Sequence, residues 1–441
     1  MKLAFLKPAS ASAAAAFLLL TAPLYAGARK NLIIIGWDTL RADHVSALGY
    51  ARKTTPNMDA FAGGAFLFTD AVSQASWTLP AFMSIFTSLY PSEHQVTNKF
   101  RITPGSSELL PVSLSTGAVT LAEALKARGY STAAFTGGAG VGGEYGFSRG
   151  FDVYADSRNF AGFGTTFPEA LAWLKKNGDK PFFLFVHGYD THPFHNLVMD
   201  GKYSFIGQDE AQAAAGIKAR HEKMRLDLLD GKKPEHTDAD VRLWTDVYDE
   251  KILRTDRLLG EFLKNLAARG KTAENTVIIV VADHGEELFD HGGVDHGMTL
   301  YDEMIHVPLI IRVPGRRGRV IKGQVRTLDI FPTVLDLLGI KPPDSLKGQL
   351  RGTSLAGYMA GEKGARTAFS ETDYLFHFSK RAIRKSGGLK LIEDGFTQGR
   401  ELYDTAADAR EKKDLAEEDP ARSYVLEMEL SDQEDALTPV P

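Results

Sequence analysis

Asp38, Asp283 and His284 each follow directly on a run of apolar residues, and His187, Asp190 and His192 follow another. Carboxylates beside imidazoles are a donor set for a hard or borderline divalent cation such as Ca²⁺, Mn²⁺ or Zn²⁺. Singly, each has a plainer use, since an aspartate caps a helix and a histidine sits satisfied in a core. Three apolar runs ending in the same kinds of group favour a shared site instead. The segment SWTLPAFMSIFTSLYP adds a hydroxyl, Thr78, two residues before Pro80. Proline suits the first turn of a helix, so the spacing predicts a helix starting at Pro80 with Thr78 just before it as a cap. A chemical role uses the same geometry. Unpaired amides and the positive dipole end at a helix start favour a bound oxyanion. A divalent ion beside the hydroxyl would lower its pKa and make it a nucleophile.

Such groups act together only if the fold gathers them. The runs at 31–38, 131–137, 181–190 and 276–285 read as strands, separated by helical stretches at 56–61, 80–88, 121–128, 167–176 and 241–268. Continuous apolar strands between amphipathic helices predict an α/β fold, a mixed and mostly parallel sheet with helices on both faces. Ligands of such sheets bind beyond the carboxyl ends of the strands, where the groups above would converge. A strand at 307–314 and a helix at 329–338 complete this unit, which spans 29–340. After LLGIKPPDSLKG the shorter runs ARTAFSET, KRAIRKSG, LKLIEDG and RELYD predict a small C-terminal antiparallel subdomain over 341–441, ending in a charged surface helix. The charged stretch 221–240 reads as a solvated insertion, and 203–233 as a wall shaping substrate access.

A net charge of −5 and a pI near 6.2 argue against nucleic acid or an anionic membrane as the main partner. Lys2 and Lys7 precede a short apolar run and LYAGA, so residues 1–28 read as a secretory signal peptide cleaved near Ala26–Ala28. That run is short against the roughly 20 residues of a membrane span. With 0 Cys the chain has no disulfide and no thiolate metal site. The expected location is exported, periplasmic or secreted, with no stable membrane span after cleavage.

Many pieces, in order, carry a resemblance to a known family. They are NLIIIGWDTLRADHVSALGY, TTPNMDAFAGGAFLFTDAVSQASWTLPAFMSIFTSLYPSEHQV, GFDVY, PFFLFVHGYDTHPFH, VVADHGEELFDHGG, HGMTLYDEMIHVPLIIRVPG, TLDIFPTVLDLLGI and RELYDTAADAREKKDL. From about Asn31 to about Leu415 the chain resembles the sulfatases of the alkaline phosphatase superfamily. The resemblance implies an alkaline-phosphatase-like fold and one divalent metal held by Asp38, Asp283 and His284, with Thr78 at the nucleophile position and facing the metal. It implies that His192 and His296 contact the substrate anion or protonate the leaving oxygen, a task suited to histidine. Asp190 and His187 are expected as outer groups. A second ion, held by Asp190, His192 or His195, and His296, is left open.

The chain also departs from the family. Where sulfatases carry C/S-x-P-x-R, with the Cys or Ser oxidised to formylglycine, it reads Thr78-Leu79-Pro80-Ala81-Phe82. Oxidation of threonine would give a ketone rather than an aldehyde. Thr39 replaces the second Asp of the first metal motif, and TGGAGVGG replaces G-K-W-H, so a Lys and a His that grip sulfate are missing. Fewer cations and a Thr nucleophile resemble the phosphodiesterase and phosphonate-cleaving branches. The expected activity is hydrolysis of a sulfate, phosphate or phosphonate ester by Thr78 without formylglycine, the substrate being a small anionic ester or a sulfated or phosphorylated glycan or lipid. Two other readings are an extracytoplasmic phospho-headgroup transferase and an inactive relative that binds an anionic glycan or partner. The intact set of Asp38, Thr78, Asp283 and His284 argues against the latter.

Overall fold

The computed structural model describes residues 29–102, 108–193, 200, 202–207, 210–270, 274–364 and 366–441. The predicted signal segment and His195 lie outside these residues.

The longest apolar runs become the middle of a nine-stranded sheet. Its strands are β1 (Asn31–Trp37), β2 (Phe66–Val72), β3 (Ser131–Phe135), β4 (Val153–Ala155), β5 (Phe182–Gly188), β6 (Thr276–Ala282), β7 (His306–Arg312), β8 (Val320–Ile321) and β9 (Val325–Arg326). They lie in the order β8-β2-β7-β6-β1-β5-β3-β4, with β9 also paired to β2. Every pairing is parallel except those of β7 with β6 and β2. Strands β1, β5 and β6 are buried along their whole length, as an unbroken apolar run requires when both sheet faces are covered.

Neighbouring side chains on one strand identify the two covering layers. The principal helices are α1 (Pro56–Ala62), α2 (Thr78–Thr87), α3 (Leu121–Lys126), α4 (Phe163–Asn177), α5 (Ala211–Leu229), α6 (Asp238–Ala267), α7 (Ile330–Leu337) and α8 (Pro420–Ala436). Trp37 meets Phe163 of α4 edge-on at 6.0 Å. Gly36, pointing to the other face, lies under Phe82 of α2, where an added Cβ would fall 2.6 Å from the ring. The period of two along a strand thus places α4 and α2 on opposite faces. On β5, Phe182 packs on Trp173 of α4, whereas Phe185 packs on Phe82 and Phe86 of α2.

The C-terminal runs form the expected antiparallel sheet, β10 (Ala368–Tyr374), β11 (Phe378–Arg384), β12 (Leu389–Asp394) and β13 (Arg400–Asp404), against which α8 buries Leu426 and Leu430. A buried ionic cluster ties the two sheets together. The Lys390 ammonium of β12 lies 3.0 Å from Asp302 and 2.8 Å from Glu411, and Arg384 of β11 reaches Asp302 at 2.9 Å and Asp70 of β2 at 2.7 Å.

Two expectations are corrected. The stretch 221–240 is not simply a solvated insertion. Its first part lies in α5, whose Ala214, Ile217, His221 and Met224 are buried, and its last residues open α6 under a Thr237 cap. Thr78 is not the residue before the helix but its first residue, with Trp77 at the cap position. Among the described residues no helix is long and apolar enough to cross a membrane.

Candidate active site

The carboxyl ends of β1 and β6 deliver Asp38, Asp283 and His284 to one point, and the N-terminus of α2 delivers Thr78 to the same point. All ten residues of α2 are buried, so the helix is fixed by its apolar surroundings. Pro80 stands in its first turn, where a missing N–H leaves no intrahelical bond unmade. Thr78 Oγ1 donates to Asp38 Oδ1 at 3.0 Å and lies 3.3 Å from His284 Nε2. His284 Nδ1 lies 2.8 Å from the carbonyl of Gly285. Donation of that N–H fixes the tautomer and leaves the Nε2 lone pair facing the cluster. Asp283 Oδ1 accepts the amides of Thr39 and His284 at 3.2 and 2.9 Å.

The remaining carboxylate oxygens, Asp38 Oδ2 and Asp283 Oδ2, are buried without a hydrogen bond. Burial, then the charge of Asp283, pushes the Asp38 carboxyl well above its usual range, and burial pushes Asp283 to about 7. Two buried carboxylates with orphaned oxygens and an imidazole lone pair, all within 4.8 Å of one another, fit a divalent cation.

His296 stands beside this cluster, its ring 4.6 Å from that of His284 and 4.9 Å from that of His192. Its Nδ1 is held by Asp295 at 3.0 Å and Glu286 at 3.2 Å, which leaves Nε2 for a substrate. Burial alone would lower its pKa, but Asp295 and Glu286 raise it well above the ordinary histidine value. Asp295 adopts φ +79, a conformation that costs an L-residue energy and that its bonds to Arg225 and His296 hold in place.

Two weaker candidates take structural positions. Asp190 accepts the amide of Phe163 at 2.7 Å and packs against Gly162, so it braces the start of α4 and does not gather with His296. His187 lies under Phe82, its ring centroid 5.0 Å away, and its Nε2 is 4.0 Å from Asp38. Burial lowers it to about 3, so it is neutral. Among the described residues, the acid–histidine group next to the first is Glu286, Asp295 and His296, without Asp190 or His192.

Above Thr78 opens a cavity of about 320 Å³. Trp77, Phe160, Tyr189, Tyr374 and Leu375 give it apolar walls, and His192 and His296 line it as well. It is also lined by Lys99, Lys218 and Arg225, which no sequence motif announced. These cations come from α5 and from the chain after α2. Phe82, at the position of the family arginine, is core.

The loop that replaces G-K-W-H also has a use. Gly140 donates its amide to Tyr189 Oη at 2.8 Å and passes over Thr78, where an added Cβ would fall 2.8 Å from Thr78 Cβ and 3.0 Å from its methyl. The bare glycine is what accommodates the threonine methyl. Gly140→Ala is therefore expected to displace the hydroxyl and lower kcat by roughly 10²-fold with a small shift in melting temperature. Unchanged kcat in that variant would show that the loop yields instead.

Comparison with known proteins identifies the family and the fold. The sulfatase family profile matches residues 30–340, and that of the N-sulphoglucosamine sulphohydrolase C-terminal region matches residues 289–435. The Δ4,5-hexuronate-2-O-sulfatase of Bacteroides thetaiotaomicron is 25% identical over 455 residues, covering 90% of this chain and 86% of that protein. The ulvan-active sulfatase of Formosa agariphila, 28% identical over 349 residues, is covered over 64% of its length and 73% of this chain. Among solved structures, the phosphonate monoester hydrolase of Agrobacterium radiobacter has the same fold, with a TM-score of 0.67 and 22% identity, over 92% of this chain and 95% of that one.

Proposed function

The chain belongs to the sulfatase family and is an ester hydrolase, and we propose that it cleaves a sulfate ester, or a phosphorus ester of the same shape, with Thr78 as the nucleophile and without formylglycine. The observation that carries this reading is the Thr78 hydroxyl, at a helix N-terminus, within 3.3 Å of both Asp38 and His284 and lining the cavity above this cluster. Asp38, Asp283 and His284, with Thr78 facing them, would hold one divalent cation, which would lower the pKa of the hydroxyl and draw charge from the ester oxygens.

The chain's own groups account for the remaining work. The amides of Thr78 and Leu79, ahead of Pro80 in the first turn of α2, are the ones that would meet a bound oxyanion. Asp38 Oδ1 accepts the hydroxyl proton as Thr78 Oγ bonds to sulfur or phosphorus. The bond to the leaving oxygen breaks, and His296, held by Asp295 and Glu286, gives that oxygen a proton. Water then releases the ester on Thr78. His192, one ring away from His296, faces the same anion. The sulfated glycans acted on by relatives make a sugar ester the favoured substrate. The segment at 1–28 would place the reaction outside the cytoplasm.

The test is hydrolysis of aryl sulfate, phosphate diester and phosphonate monoester by the mature protein after chelation and after return of Ca²⁺, Mn²⁺ or Zn²⁺. Turnover should require the ion, and the ion alone should raise the melting temperature, by about 2.7 kcal/mol of stability at 100 times its Kd. Full activity and unchanged melting after chelation would overturn the metal assignment. No turnover of any of these esters would overturn the hydrolase reading.

A further inference from the structure

Lys99 stands at the root of the exposed hairpin of Phe100–Ile102 and Leu109–Pro111, and it reaches the cavity half-buried. Its neighbour Asn98 donates to the carbonyl of Asp373 at 2.5 Å and accepts the amide of Leu375 at 2.9 Å, fixing this root against the turn after β10. Among the described residues the Lys99 ammonium has neither an ion pair nor a hydrogen bond. The charges that act on it are Glu144 and Arg225, not the carboxylates around Thr78. A half-buried ammonium beside a guanidinium, with no carboxylate in contact, is costly when empty and is matched by a bound anion.

Helix α5 supplies the other half. Lys218, His221, Glu222 and Arg225 fall three, four and seven residues along it and so share one face, which lines the cavity. Arg225 Nε bonds Asp295 at 2.7 Å, and its Nη2 donates to Tyr374 Oη at 3.2 Å, which fixes the guanidinium and leaves other N–H groups for a ligand. Lys218 is exposed and also without an ion pair among the described residues. Glu222 is the one acid of this face.

We propose that Lys99, Lys218 and Arg225 form a second anion subsite, which holds a carboxylate or sulfate on the leaving-group side of the ester that Thr78 attacks. The substrate class is then a polyanionic sugar, carrying an acidic group besides the one removed. The proposal rests on the ester-hydrolase reading for which group is cleaved, but the subsite can be tested by binding alone.

The probes are 4-nitrophenyl sulfate and its analogues bearing a ring carboxylate or a second sulfate, with the wild-type chain, Lys99→Gln and Lys218→Gln. The expected result is that the preference in kcat/KM for a dianionic probe over the monoanionic one falls roughly tenfold in Lys99→Gln and by less in Lys218→Gln. The carboxylate and the second sulfate are told apart by which preference falls further. An equal loss for all three probes would overturn the proposal, since the lysines would then be gripping the reacting group. Lys218 is exposed, so its variant remains informative if Lys99→Gln folds poorly. If the wild type turns over none of the probes, cleavage of a sulfate ester fails separately, and calorimetry of the same probes decides the subsite. A dianionic preference lost in the variants upholds it, and binding that is equal in all three chains overturns it.

Discussion

Thr78→Ala should lower turnover by about 10⁴- to 10⁶-fold, the loss seen when a covalent nucleophile is removed from an otherwise intact site. The substitution deletes the Oγ that lies 3.0 Å from Asp38 and leaves Asp283, His284 and His296 in place. Water would then be the only attacking group, without the position that the fixed start of α2 gives the hydroxyl. Alanine suits a helix start buried in apolar contacts, so the variant should fold, and its melting temperature is the control. Thr78→Ser keeps the hydroxyl and should recover most of the activity, losing only the methyl contact with Gly140. Single-turnover mixtures quenched in acid should yield a peptide carrying Thr78 with one added sulfuryl or phosphoryl group, absent from the alanine variant. An alanine variant within a factor of about ten of wild type would remove Thr78 from the chemistry, because no intact nucleophile is that dispensable.

Lys390→Met is expected to cost about 3–5 kcal/mol of stability, the penalty for leaving a buried charge without its partner. Lys390 is fully buried, and its ammonium is shared by Asp302 and Glu411. Methionine fills much of the same volume, so packing changes little while two carboxyl groups lose their common cation. Arg384, on Asp302 and Asp70, compensates only one of them. Denaturant titration should show the midpoint falling with little change of slope. A loss under about 1 kcal/mol would mean that one carboxyl takes up a proton and the cluster contributes little beyond position. Because the cluster holds β11 and β12 to β2, activity should fall at temperatures where the variant is still partly folded.

The middle of the large sheet was legible because β1, β5 and β6 are unbroken apolar runs, a pattern that burial on both faces imposes. The positions of Asp38, Asp283 and His284 followed from strand direction, since all three end parallel strands. Strand β2 was not identified as a strand, because FLFTDAV carries a threonine and an aspartate where the sheet nears its edge. Helix α5 was hidden by charge on all sides, so no apolar stripe marked the face that carries Ile217, His221 and Met224 inward. Lys99 and Arg225 could not be found by spacing. Their meeting depends on a hairpin and a helix more than a hundred residues apart in sequence, and nothing local records that distance. The glycines of TGGAGVGG were visible as a departure from the family, but their fit over Thr78 required coordinates.

The pocket draws on Thr78, Lys99, Gly140, His192, Arg225, His296 and finally Tyr374 and Leu375, so its walls come from points spread over most of the chain. Loops that long close slowly and late in folding. A ribosome-bound chain that ends before β10 would have no enclosed site, because the wall from β10 is made near the end of synthesis. The order of the segments therefore works as a timing device: an enclosed site arrives only as the polypeptide nears completion.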